Sequence, residues 1–171
     1  MDDGIVNRVA GSGIITLELD SYHREGERVV LDLAGRLENG LVLREKDFRE
    51  FIKTMDWAGF AGKHVAVCCT ADAIIPAWAY MLVGVALQPY AATVVFGGMN
   101  ELEERLFLDA LSAEDWRRFS DQRVVVKGCT KLDVPAAVYL AVSGHLRPVA
   151  ASIMFGEACS SVPVFKKKST F

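Results

Sequence analysis

The sequence predicts a Rossmann-like α/β domain. Its three layers would hold a mostly parallel sheet built from two duplicated β-α-β units, preceded by an N-terminal β-rich extension. Three observations lead there. A 34-residue segment recurs 59 positions later without a gap. Each copy reads strand, loop, helix, strand. The strands are apolar on both faces, as strands covered by helices are. The expected division is an extension and helix over 1–62, a duplicated core over 63–157 and a tail over 158–171. No Ser/Pro-rich linker interrupts the chain, so all three parts are assigned to a single domain.

The repeat sets residues 64–97 against 123–156, with 12 of 34 positions identical. Unrelated segments of ordinary composition share roughly two or three. The shared residues include Pro76/Pro135, Tyr80/Tyr139, Pro89/Pro148 and the endings Phe96-Gly97/Phe155-Gly156. In chain order, 14–19 and 28–33 alternate like strands around a polar loop at 22–26. Asn39-Gly40 marks a turn before 41–43. Phe48, Phe51, Ile52 and Met55 fall at i, i+3, i+4 and i+7, the spacing of an amphipathic helix. The runs 65–69 and 124–127 are short and β-branched. Pro76 and Pro135 suit the first turn of the helices that follow, and Pro89 and Pro148 end them. Residues 93–96 and 152–155 are the second strands. The link over 100–122 reads as helical, with Leu102, Leu106 and Ala110 on one face. Ser112-Ala113-Glu114-Asp115 resembles a capping start before Trp116 and Phe119.

Composition excludes several classes. The chain has 171 residues, 51% hydrophobic and 24% charged, too apolar for disorder. Lys plus Arg is 19 against 22 for Asp plus Glu, so the basic excess of a nucleic-acid binder is missing. The opening Met1-Asp2-Asp3-Gly4 carries acid where a signal peptide carries base. The apolar run 73–87 is about 15 residues, short of the roughly 20 a bilayer requires. Four cysteines in such a chain point to a reducing cytoplasm.

Two such units in one sheet predict the strand order second, first, third, fourth. The first and third strands would then meet at a switch point, where ligands bind beyond the carboxyl ends. All four cysteines fall at those ends, in 68–72, 128–131 and 156–159. Cys69, Cys129 and Cys159 are the candidate ligands for zinc or an iron–sulfur cluster. The fourth ligand would be Asp72, Glu157, a water or an external molecule, while Cys68 belongs to the strand and the core. The plainer alternative makes all four small buried residues. A third makes Cys69 or Cys129 a thiolate activated by the following helix N-terminus, with Lys131 beside Cys129. That would suit sulfur transfer or redox chemistry. His64 and His145 belong at the far edge and only the loop residue His23 comes near, which disfavours a Cys–His hydrolase. Gly97-Gly98 precedes a helix and offers amides to a small anion, although a plain turn explains it as well. Gly11-Ser12-Gly13 lacks the preceding strand of a dinucleotide fingerprint. Lys166-Lys167-Lys168 reads as a solvated end or one ordered by a partner. The tryptophans read as packing residues.

Several segments carry a family pattern. They are Glu27-Arg28-Val29-Val30, Leu43-Arg44-Glu45-Lys46-Asp47-Phe48-Arg49, the run 70–82 from Thr70 to Leu82, Lys127-Gly128-Cys129 and the run 152–163 from Ser152 to Pro163. Together they resemble domain-of-unknown-function family 2480 over nearly the whole chain. Ala158 stands where the family pattern has proline. The resemblance implies a small cytosolic bacterial protein without an established activity, encoded near sulfur-mobilisation genes for iron–sulfur assembly. It favours the thiol edge and implies iron–sulfur assembly proteins as partners. Three functions are thus expected. The first is an accessory protein binding metal or a cluster. The second is a thiol-dependent enzyme. The third is an interaction protein, a homodimer, with structural cysteines. Neither nucleic acid nor membrane is an expected partner.

Overall fold

A computed structural model describes residues 13–128, 132–157 and 160–168. In chain order they form β1 (Ile14–Glu18), β2 (Arg28–Asp32), α1 (Glu45–Thr54), β3 (His64–Cys68), α2 (Ala77–Leu87) and β4 (Thr93–Phe96). Then follow α3 (Met99–Ser112), β5 (Arg123–Lys127), α4 (Ala136–Leu146), β6 (Ser152–Glu157) and β7 (Ser160–Lys166). Short 3-10 turns occupy Leu19–Tyr22, Leu33–Arg36, Trp57–Phe60 and Trp116–Phe119. The architecture is mixed α/β with two mostly parallel sheets, β2-β3-β4 and β1-β5-β6-β7. Only β6–β7 is antiparallel among these pairings.

The chain divides into two compact units. Unit 2 is continuous, Glu25–Arg105, and unit 1 joins Met1–Arg24 to Leu106–Phe171. Two expectations are corrected here. The strands β3 and β5 were expected side by side in one sheet, but they lie in different sheets. Nor do the first two strands form an extension. β2 lies against β3 with Arg28 opposite His64, and β1 lies against β5 with Ile14 opposite Arg123. Each supplies the outer parallel partner that its β-α-β unit lacks in the repeat alone.

Unit 2 is built around the β3 run Val65, Ala66 and Val67, all nearly inaccessible. Val65 and Val67 meet Ala79, Val83 and Leu87 of α2, which recur every four residues and so line one helix face. Each such buried Val or Leu stabilises by roughly 1.5–3 kcal/mol. Phe48 and Phe51 of α1 complete the core, as their spacing predicts. Arg28 and Glu103 pair at 2.7 Å. Asn39 and Gly40 both adopt positive φ, 51° and 71°, which makes the predicted tight turn.

Unit 1 repeats this plan at the same 59-residue spacing. Val124 and Val126 meet Val138, Val142 and Leu146 of α4, with Phe107 and Leu111 of α3 in the same core. Small details recur as well. Trp57 Nε1 donates to the Ile52 carbonyl at 2.8 Å, and Trp116 Nε1 to the Leu111 carbonyl at 3.1 Å. Asp56 and Asp115 each cap the following 3-10 turn, accepting from Ala58 N and Arg117 N. The cap before Trp116 is therefore Asp115, and Ser112 instead closes α3. Pro76 and Pro135 sit one residue earlier than predicted, as the extended residues that precede the first helical turn.

Candidate functional site

The carboxyl edge of the unit 2 sheet gathers the most chemistry. Asp32 ends β2, and its carboxylate accepts from Thr70 Oγ1 at 2.5 Å, Thr70 N at 3.0 Å and Ala34 N at 2.9 Å. These bonds, led by the Thr70 hydroxyl, hold its pKa below the usual carboxylate value. The clasp fixes the start of the loop that leaves β3. Cys68 is the last residue of β3 and Cys69 the first beyond it; both thiols are free and half-buried. Burial pushes the Cys68 thiol pKa up, and the charges of Asp32, Cys69 and Glu101 add to the rise. Cys69 packs against the unit 2 core, its sulfur 3.8 Å from the Ala71 carbonyl. The helix begins only at Ala77, so residues 70–76 separate Cys69 from it. Tyr80 meets Phe96 edge to face, with ring centroids 5.1 Å apart. Its hydroxyl pKa is also raised, by burial first and then by Cys69, Cys68 and Asp32.

The same edge of unit 1 has a different chemistry. Lys127 stands where unit 2 has Cys68, and Gly128 where it has Cys69. Lys127 Nζ pairs with Glu157 Oε1 at 3.2 Å, which ties the ends of β5 and β6 together. That hydrogen bond is the main reason the Lys127 pKa lies above its ordinary value. Tyr139 and Phe155 repeat the Tyr–Phe pair with centroids 5.7 Å apart. A Cβ on Gly128 would come 3.2 Å from the Tyr139 hydroxyl and 3.5 Å from Phe155. Both units carry the pair, but in unit 1 it lies close against Gly128, at the position where unit 2 has Cys69.

The predicted site residues fare differently. Cys69 lies at a carboxyl edge, as read. Cys129 and Cys159, with Lys131, lie outside the described residues. Among the described residues, no three or more His, Cys, Asp or Glu side chains are grouped to hold a metal ion. Gly97 has φ 126°, and its Cβ would strike Glu101 at 2.7 Å, so glycine is required there. Gly98 N donates to Glu101 Oε2 at 2.7 Å, placing the chain's own carboxylate where an external anion was expected. His64 is buried, with Nδ1 3.1 Å from Thr93 Oγ1 and Nε2 3.0 Å from the Glu25 carbonyl, a satisfied core histidine. His145 stacks on Trp116 at 4.6 Å. Glu45 and Asp47 occupy the first turn of α1 as ordinary helix-start acids. Lys166, Lys167 and Lys168 line a cavity of about 740 Å³ with Arg123, Met154 and Phe165. Lys167 is held by Asp121 at 2.9 Å.

Apolar surface is the feature that residue-by-residue reading missed. Met81 and Val85 of α2 are 70% and 74% exposed, and Leu140 of α4 is 77% exposed. The outer strand β4 exposes Phe96 at 71%. The signal was present: α2, AWAYMLVGVAL, has no charged residue on any face. A surface helix ordinarily carries a polar stripe. Among the described residues, no helix is long and apolar enough to cross a membrane.

Fold and edge chemistry together define a two-unit α/β protein. The family model described as "Protein of unknown function (DUF2480)" matches residues 3–167, and the chain belongs to that family. No curated protein and no solved structure matches the chain.

Proposed function

We propose that this chain is a non-catalytic interaction protein, built from a duplicated unit, that associates with a second copy of itself through unit 2. The supporting observation is the uncovered apolar surface of unit 2, where Phe96 of β4 and Met81 and Val85 of α2 stand out from an otherwise well-filled core. A second copy is the simplest occupant, because one isologous contact covers the same patch on both chains. The cysteines of unit 2 fit a packing role. Burial, with the charges of Asp32, Cys69 and Glu101, pushes the Cys68 thiol pKa up, and Cys69 is packed against the core. Burial of that kind disfavours a thiolate at Cys68. Sedimentation of the full chain across a hundredfold concentration range tests the reading. A concentration-dependent dimer is expected, and a constant monomer mass overturns it.

A second reading has one observation in its favour. The Lys127–Glu157 pair ties the ends of β5 and β6, and Cys129 and Cys159 each follow two residues later in the chain. Two cysteines that follow tied strand ends in the chain suit zinc or an iron–sulfur cluster. Iron–sulfur assembly proteins are the matching partners. Anaerobic purification followed by metal analysis decides it. Zinc or iron that disappears in the Cys129→Ser, Cys159→Ser variant supports it; a metal-free parent removes it.

A further inference from the structure

We infer that β4 pairs antiparallel with β4 of a second copy, joining two unit 2 sheets edge to edge. This rests on the self-association reading and specifies its contact. The sheet order β2-β3-β4 leaves β4 outermost, and no described strand lies on its outer side. Gly97 N donates to the Val67 carbonyl at 3.0 Å, so it faces β3. In a parallel ladder, alternate residues direct both backbone polar groups to the same neighbour. Thr93 and Val95 therefore face β3, while Val94 and Phe96 present their N–H and C=O groups to the free side.

Unit 1 shows what such an edge accepts. At the same 59-residue spacing, β6 takes the place of β4, and Ile153 and Phe155 take the places of Val94 and Phe96. There β7 lies antiparallel along the outer side, with Ile153 opposite Phe165 and Phe155 opposite Val162. Ile153 is 2% and Phe155 41% exposed, against 37% for Val94 and 71% for Phe96. The edge of β4 is thus missing the strand that its counterpart has.

The sequence of β4 fits a second β4 as that strand. Thr93-Val94-Val95-Phe96 has no lysine, proline or other charge, the usual devices that keep an edge from pairing. A two-fold axis at Val95 places Val94 opposite Phe96 of the second copy, and Phe96 opposite its Val94. Both are hydrogen-bonded pairs in that register, giving four backbone bonds across the contact. On one face of the joined sheet, the Val94 and Phe96 side chains of both copies then form one apolar cluster, beside Tyr80.

The test compares the full-length parent with Val94→Pro and Phe96→Lys. Proline at 94 removes only an outward N–H and leaves the bonds to β3 in place. It deletes two of the four bonds, so the dimer dissociation constant should rise about 30-fold or more. Lysine at 96 places like charges across the contact and should give a monomer that keeps its circular dichroism and melting temperature. Hydrogen exchange at the Val94 and Phe96 amides should slow as concentration rises in the parent. Dimerisation unchanged in both variants would falsify the β4 contact while leaving self-association standing. A parent that is monomeric throughout removes both. Amides at 94 and 96 that are protected at every concentration show the edge covered by its own chain and overturn the inference.

Discussion

Strands β4 and β6 occupy the same place in their units, follow equivalent helices and share a Phe-Gly, at Phe96-Gly97 and Phe155-Gly156. They differ in what lies beside them. In unit 1 an antiparallel strand covers the outer edge, and Ile153 and Phe155 are less exposed than Val94 and Phe96. In unit 2 the edge is bare. The carboxyl edges differ too, with a thiol pair and the Asp32–Thr70 clasp in unit 2 and a Lys127–Glu157 pair in unit 1. The contrast teaches that a similarly packed core in each unit leaves the residues around it to set that unit's surface and chemistry.

The sharpest way to break this comparison is a matched pair of truncations. Ile153→Ala removes a side chain buried in the unit 1 core, on the strand that β7 flanks, and should cost about 2–4 kcal/mol in urea unfolding. Val94→Ala, at the matching position, should cost less than about 1 kcal/mol at concentrations where the protein is monomeric. Equal losses would mean that β7 does not distinguish the two edges.

The next contrast is at the start of the central strands. His64 is buried in unit 2 with both ring nitrogens satisfied, whereas its counterpart Arg123 is exposed. His64→Ala should cost roughly 2 kcal/mol, because Thr93 and the Glu25 carbonyl lose their partner. Arg123→Ala should change stability by no more than about 0.5 kcal/mol.

A smaller effect belongs to unit 1 alone. Burial, followed by the hydrogen bond to Glu114 Oε2 at 2.6 Å, pushes the Tyr22 pKa up to about 12 from 10.0. The folded state then holds the phenol proton more tightly than the unfolded chain does. The stabilisation is intact below pH 10 and is lost as pH rises to about 12, on the order of 1 kcal/mol after screening. Tyr22→Phe should flatten that part of the stability–pH curve relative to the parent. A parallel curve would show that Tyr22 does not titrate differently on folding.

The smallest expected change concerns the thiol edge. Asp32→Asn removes a negative charge near Cys68 and should lower that thiol's pKa. Alkylation of Cys68 at pH 8 should quicken several-fold in a variant retaining only that cysteine. An unchanged rate would separate Asp32 from the thiol electrostatically.

Much of the local structure was legible. The period of Phe48, Phe51 and Met55 located α1, paired prolines bounded α2 and α4, and Asn39-Gly40 fixed a turn. Those features depend on neighbouring residues, which a sequence displays directly. Sheet partnership does not. The residues of β1 and β2 alternate identically whether they build an extension or join separate sheets, and β1 finds its partner only at Arg123. At the site, Cys69 was rightly placed at a carboxyl edge, but the edge was assigned to one sheet rather than two. The Gly98–Glu101 bond went unread because an exposed glutamate in the first turn of a helix looks ordinary until its carboxylate is seen on the amide.

Unit 1 is split around unit 2, and this shapes how the protein is made. A ribosome delivers β1 first, then every residue of unit 2, and only afterwards β5. At about 5–20 residues per second, β1 waits some 5–20 s for its neighbour while unit 2 can already have closed. Synthesis therefore imposes an order on the halves that their similar architecture does not, and moving the first strand to the other terminus by circular permutation would change that timing.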